Sequence, residues 1–406
     1  MRLAERKWLS DLLLAAAVYA VSAVPVLAGL TVASTPGVLV HKEGVPGFLD
    51  ACVSFDGCWY RDVADCGYWY FPDRQSGAAF FPGMPLAARF VSALTGCPTP
   101  VALLVVSNLS FVAALALISA LVRTRWPDAP PGLRVVTLAV LAFYPAGLYF
   151  RVAYSESLFL ALTALLMLGL ARRWPVWVLA VVAGAATGVR PVGVAGAAAV
   201  VVSVLSDPAR GSPGRRVLTA AAVGPLACWG LLAFMAYQWA EFGDPLTFAK
   251  AHEQWKHYVR PDGDTTPAWV KLATGEPLWN TYVPGSPRHW WHLDGHHVPG
   301  LGQGFWNPIA VTLAAAAVGL GWWRGWLGRA EAVLGFGLIL IPYLSRAHEM
   351  CMASQSRFTS VVVPAFLVYG RALGRLPPAA AGAVVAVMSP MLAVWTMMFG
   401  AMWFLF

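Results

Sequence analysis

Charge is scarce in this 406-residue chain: Asp, Glu, Lys and Arg make up 12% of it, against 58% hydrophobic residues. Soluble globular domains typically carry about twice that charged share. The composition therefore excludes a water-soluble globular protein and implies one membrane-embedded bundle over residues 1–406. The sequence also lacks an internal repeat of fixed period, a low-complexity tract and a long disordered linker. Related halves with charged groups near the bilayer midplane, which usually mark transporters, are not found either. The formal net charge of +8 does not point to nucleic acid, because the basic residues are scattered singly and in pairs between apolar runs.

Apolar sequence is abundant, in runs near the ~20 residues that cross a bilayer. They fall at about 9–33, 99–122, 134–150, 157–171, 175–189, 191–206, 217–239, 307–323, 331–345, 359–374 and 379–405. This predicts an all-α polytopic membrane protein of about eleven transmembrane helices. The first run follows MRLAERKW and exceeds the roughly 7–15 apolar residues of a signal peptide, so an uncleaved anchor is expected. With the N-terminus in the cytoplasm, the short inner connections hold Arg2, Arg6, Lys7, Arg123, Arg125, Arg134, Arg172, Arg173, Arg210, Arg215, Arg216, Arg324, Arg329, Arg371 and Arg375. That places fifteen of the 28 basic residues on one side, the positive-inside pattern. Two long loops, 34–98 and 240–306, then face outward, with short turns at 150–157, 188–191 and 345–358. The inner segment 207–216 is the expected hinge between halves. Pro25 and Pro390 fall within predicted helices, where neighbours can re-satisfy the backbone.

On the outer face gather polar residues that are unusual for a membrane protein: Asp56, Asp65, Arg151, Glu156, Arg190, Gln254, Arg346, His348, Gln355 and Arg357. Ionisable groups near membrane depth usually have a function, although a single arginine there can be an interfacial anchor. The densest stretch is 54–85, which carries Asp56, Asp62, Asp65 and Asp73 with two tryptophans, three tyrosines and four phenylalanines. It is too charged to span a bilayer, and its aromatics suit the membrane–water boundary.

Four ordered blocks carry a family resemblance. FDGCWYRDVADCGY (55–68) followed by AAFFPGMP (78–85) resembles the first-loop motif of the GPI mannosyltransferase II (PIG-V-like) family and its bacterial relatives, within the C-type membrane glycosyltransferases (GT-C). FYPAGLYFRVAYSESLFL (143–160), GDPLTFAKAHEQW (243–255) and SQSRFTSVVVPAF (354–366) are the other three. Two departures are Phe55, where tryptophan is usual, and Tyr144, where the family has asparagine. The resemblance implies a GT-C fold and an inverting transfer of mannose from a polyprenyl-phosphate carrier to an extracytoplasmic hydroxyl. The acceptor would be a glycolipid, a glycan or a protein.

Such chemistry needs a general base near the acceptor hydroxyl, and Asp56 matches the family's first-loop aspartate; the competing reading is a helix-capping aspartate. A lipid phosphate leaves as the bond breaks, so cationic donors should gather on its charge. Arg357 is the first candidate, because guanidinium binds phosphate bidentately, followed by Arg346, Arg190 and His348. Glu156 either orients the sugar or another catalytic side chain, or caps the helix beginning near Ser157. Gln254 and Trp255 are expected to line the sugar or acceptor groove, and Tyr60 and Asp65 join the binding set from the first block.

No cofactor is firmly assigned. Asp262 and Asp264 stand in a D-x-D spacing that holds a divalent cation in soluble glycosyltransferases, but a lone D-G-D beside Pro and Thr reads as a turn. His289, His292, His296 and His297 match no closed zinc pattern and read as a polar, aromatic loop wall. Of the six cysteines, Cys52, Cys58, Cys66 and Cys97 lie in the first outer loop, Cys351 in the last outer turn and Cys228 within a helix. An oxidising exterior favours pairing in the first loop, with three connectivities open for four cysteines; a Cys58–Cys66 or Cys52–Cys66 bridge would fix the backbone beside Asp56. The alternatives to a mannosyltransferase are a GT-C enzyme using another lipid-linked sugar and a lipid or solute transporter.

Overall fold

The computed structural model describes residues 3–37, 47–255, 265–293 and 300–403, and every regular element among them is helical. Five helices are long and apolar enough to cross a membrane, and a bent pair makes a sixth if counted as one span. Five shorter apolar helices of 10–17 residues accompany them.

Helix α1 (Leu3–Ala33) leads to the first outer segment, which contains α2 (Asp56–Cys66) and the amphipathic α3 (Gly83–Thr95). Next come α4 (Thr99–Arg125), α5 (Gly132–Ala142) and α6 (Glu156–Ala171). The run predicted at 134–150 is not one helix. Tyr144 precedes Pro145 and so is disfavoured in the α region; α5 stops at Ala142 and the chain continues as a 3-10 segment, Pro145–Phe150. Helices α7 (Val176–Val189) and α8 (Val194–Leu205) follow, with Arg190 in the turn between them. Helices α9 (Pro213–Leu226) and α10 (Trp229–Phe242) replace the single run expected at 217–239, meeting at 48°. Pro225 lies just before the bend, and its missing N–H is a usual cause of such a kink.

The short α11 (Thr247–His252) runs into a 3-10 turn, Glu253–Trp255. The C-terminal third contributes α12 (Gln303–Trp323), α13 (Arg329–Pro342), α14 (Gln355–Thr359), α15 (Val363–Leu373) and α16 (Pro378–Gly400). A single π-type turn, Tyr343–Ala347, extends α13. Pro25 and Pro390 do lie inside α1 and α16.

The core joins α4, α5, α6 and α15 through Phe111, Leu115, Leu138, Phe159 and Phe366, with Phe150 from the 3-10 segment. Within a bilayer, lipid is as apolar as these side chains, so close backbone approach counts for more than burial. The crossing of α7 and α10 shows it: a Cβ at Gly230 would meet the Gly184 carbonyl and come within 2.5 Å of the Gly188 nitrogen. Thr187 Oγ1 accepts from the Leu231 N–H at 3.0 Å beside that crossing. Gly83, at the start of α3, is packed equally closely: a Cβ there would lie 2.6 Å from Val189 Cγ2. Three glycine contacts thus fix the end of α7 next to Arg190.

Basic residues concentrate toward the beginning of α1. The buried Asp11 is paired with Arg123 and, at 3.1 Å, with Arg134, and accepts from Ser119 Oγ at 2.8 Å. Arg125 joins Glu331 at 2.9 Å and the Trp326 carbonyl at 2.6 Å. Asp11 is 22 positions before Ala33, or about 33 Å along α1, so these pairs are a membrane's thickness from the end that leads to Asp56.

Candidate active site

Asp56 is the first residue of α2, and the residue before it is strained: Phe55 has φ 54° and ψ −119°. Non-glycine residues held in such regions cost of order 1–3 kcal/mol and persist where surroundings fix them. Here Phe55 packs on Phe399 with ring centres 5.3 Å apart, and Tyr154 Oη accepts from the Asp56 N–H at 3.2 Å. The carboxylate does not cap its own helix; Oδ2 accepts from Arg357 Nη1 at 2.6 Å across 301 residues of sequence.

Arg357 is held as tightly. It lies in α14, after a stretch in which Cys351, Met352 and Ser354 all have φ near +50° to +62°. Asn307 Oδ1 secures the start of that helix by accepting from the Ser356 N–H at 2.8 Å. The Arg357 Nε donates to Glu156 Oε1, and the guanidinium stacks over Tyr154, 4.4 Å from its ring centre. Burial works against its charge, but Asp56 and Glu156 outweigh that and keep Arg357 above the ordinary arginine range.

Glu156 opens α6, completely buried, where the helix dipole favours its charge. Its Oε1 is shared between Arg357 and Arg190, the latter at 2.5 Å. The carboxylate thus binds the two guanidinium groups and makes no capping hydrogen bond to the helix backbone, its Oε2 having no partner among the described residues. Arg190 also reaches Ser155 Oγ at 3.2 Å, and Tyr60 Oη lies 2.8 Å from the same hydroxyl. Burial pushes the Tyr60 phenol up to about 12, so it remains protonated at any physiological pH.

These groups close one end of a cavity of about 140 Å³ lined by Asp56, Tyr60, Arg190, Arg346, Arg357 and Trp255, among others. Arg190 and Arg346 each lie 5.6 Å from the Phe358 ring centre. Among the described residues no carboxylate pairs with Arg346. Counting charges, three guanidinium groups (Arg190, Arg346, Arg357) face two carboxylates (Asp56, Glu156), leaving +3 − 2 = +1. Apart from Ser345 and His252, the rest of the lining is apolar or aromatic, with Phe80, Phe81, Trp255, Val189, Val192, Leu338 and Ile341 among it.

Three expected residues are placed elsewhere. Gln254 donates to the Pro72 carbonyl at 2.9 Å and does not line the cavity. Asp65 accepts from Thr99 Oγ1 at the surface. His348 belongs to a separate buried cluster, where Arg288 Nη2 donates to its Nδ1 at 2.8 Å and Arg288 Nη1 pairs with Glu276 at 2.9 Å. Arg151, also read as a site-face cation, is buried against α1, donating to Ser22 Oγ at 2.6 Å and the Tyr19 carbonyl at 2.8 Å.

One cavity residue was not anticipated: His252, at the end of α11. Phe248, His252 and Trp255 follow i, i+4, i+7 spacing, which places them on one face, whereas Gln254 turns away. That spacing was the available signal.

Asp262, Asp264, His296 and His297 lie outside the described residues, and of His292 only the backbone is described. Among the described residues no three His, Cys, Asp or Glu side chains form a metal-binding group. All six cysteines are free thiols. Cys58 and Cys66 are both in α2, eight residues and so about 12 Å apart along its axis, too far for a bridge; Cys58 Sγ lies 3.1 Å from the Val53 carbonyl oxygen instead. No protein-family model matches this chain, and neither does any curated protein sequence.

Proposed function

We propose that this chain is an inverting membrane mannosyltransferase with a GT-C architecture, moving mannose from a polyprenyl-phosphate donor to an extracytoplasmic hydroxyl. The observation that carries the reading is the meeting of Asp56, Glu156 and Arg357 at the end of a cavity with one unbalanced positive charge. A phosphodiester linking sugar and lipid carries one negative charge and balances it. The five shorter apolar helices, added to five long ones and the bent pair, suit the eleven spans expected from the sequence. The basic cluster at the far end of α1 suits a cytoplasmic N-terminus and an extracytoplasmic site.

In this reading the acceptor oxygen attacks the anomeric carbon on the face opposite the phosphate. Asp56 Oδ1, which has no protein partner among the described residues, takes the hydroxyl proton. Arg357 holds Oδ2 and so fixes the direction of that oxygen. The bond between the anomeric carbon and the phosphate oxygen breaks with its electron pair going to the phosphate, whose growing charge falls to Arg346 and Arg190. Arg346 moves ahead of Arg357 as the phosphate ligand, because Arg357 is engaged with both carboxylates. Membrane lipids and the carrier's chain would meet the apolar wall formed by Val189, Val192, Leu338 and Ile341.

The test is transfer of [14C]mannose from a polyprenyl-phosphate carrier by purified protein in liposomes. Label appearing in an acceptor, with free polyprenyl phosphate released, supports the reading. Movement of lipid or solute across the bilayer with no transfer would favour a transporter and defeat it.

A further inference from the structure

Hydrogen-bonding capacity in the cavity is lopsided. Arg190, Arg346 and Arg357 can only donate. Sugar hydroxyls must donate as well as accept, so a sugar in this cavity needs acceptors. Glu156 is sealed from the cavity, and Asp56 has one oxygen on Arg357 with the other facing the acceptor hydroxyl. Tyr60 Oη shares a hydrogen bond with Ser155, and Ser345 Oγ spends its proton on the Ile341 carbonyl, so both hydroxyls are tied in direction although their oxygens keep lone pairs.

The cavity acceptor with a lone pair and no protein partner among the described residues is the His252 imidazole. Its Nδ1 lies 2.8 Å from the Phe248 carbonyl oxygen one turn back in α11, a position that requires the proton on Nδ1. Nε2 is therefore a lone pair, and no protein group among the described residues bonds it. The ring forms part of the cavity wall and stacks obliquely on Trp255, centres 6.1 Å apart. Burial, with the positive charges of Arg346 and Arg190, pushes His252 down to about 3. It stays neutral at physiological pH and remains an acceptor there. The same two cations are the ones expected to hold the donor phosphate, and the sugar is covalently next to that phosphate.

Building on the mannosyltransferase reading, we propose that His252 Nε2 accepts a hydrogen bond from one hydroxyl of the donor sugar and so helps determine which sugar is transferred. It is a specificity residue, taking no proton in the reaction. A site built to bond a hydroxyl rejects the analogue lacking it far more strongly than an apolar pocket could.

The experiment compares wild type, His252→Phe and His252→Gln with polyprenyl-phosphate mannose and its 2-, 3-, 4- and 6-deoxy analogues, reading kcat and KM separately. Wild type should lose about 10–100-fold in kcat/KM with one deoxy donor and much less with the others. His252→Phe should lose a similar factor with ordinary mannose, and then show no further loss with that same deoxy donor. His252→Gln, whose amide oxygen can accept, should recover part of the activity. Thermal unfolding of each variant separates loss of fold from loss of recognition, and the wild-type donor series stands without any variant. Equal kcat/KM for wild type and His252→Phe, or the same deoxy penalty in both, overturns the role of His252 while leaving the mannosyltransferase intact. Wild-type protein that transfers sugar from none of these donors overturns the parent reading and this inference with it.

Discussion

On the proposed mannosyltransferase reading, replacing Asp56 with asparagine should reduce mannose transfer by about 10²–10⁴-fold, the range a positioned general base supplies, while the protein still folds. The amide keeps the side chain's shape and can still accept from Arg357 through its oxygen, but it cannot take the hydroxyl proton. The side chain is 29% exposed toward the cavity, so losing its charge costs modest stability. The check is initial-rate transfer at saturating donor alongside thermal unfolding: kcat should collapse with KM nearly unchanged. Transfer at the wild-type rate in Asp56→Asn would remove this carboxylate from the mechanism.

The second large effect is expected at Arg357. Methionine there would strand the fully buried Glu156 with Arg190 as its remaining cation. Removing one partner of a buried pair costs about 3–5 kcal/mol, and the surviving Arg190 contact places the expected loss at the lower end. Lysine is the more informative variant. Arg357 bonds Glu156 through Nε and Asp56 through Nη1, a fork that a single ammonium cannot reproduce. Arg357→Lys should therefore fold but lose about 10²–10³-fold in kcat, because Asp56 is no longer aimed. Folded protein with undiminished kcat in Arg357→Lys would show that the fork does not matter.

How much of this was legible in the sequence follows from helical geometry. Asp56 and Tyr60 are four residues apart on α2 and share a face, and both line the cavity. Asp65 is nine residues from Asp56, half a turn out of phase at about 100° per residue, and it points to the surface. His348 is two positions after Arg346 in the sequence, yet two helical positions are about 200° apart; one faces the cavity and the other the Arg288–Glu276 cluster. Gln254 and His252 exchanged places for the same reason. The apolar runs marked where helices form, but not where Pro145 and Pro225 divide them. Glycine contacts such as Gly184–Gly230, which fix the turn bearing Arg190, leave no distinct trace in composition. Convergence across 301 residues, from Asp56 to Arg357, is the feature the ordered blocks suggested and the one the proposed chemistry depends on.

The most direct measurement is a cryo-EM map of the protein bound to a non-transferable polyprenyl-phosphonate mannose. The sugar should lie in the cavity beside Asp56 and His252, with its phosphonate against Arg346 and Arg190 and its chain on the Val192–Leu338 wall. Sugar density at any other place, with this cavity empty, would contradict the account.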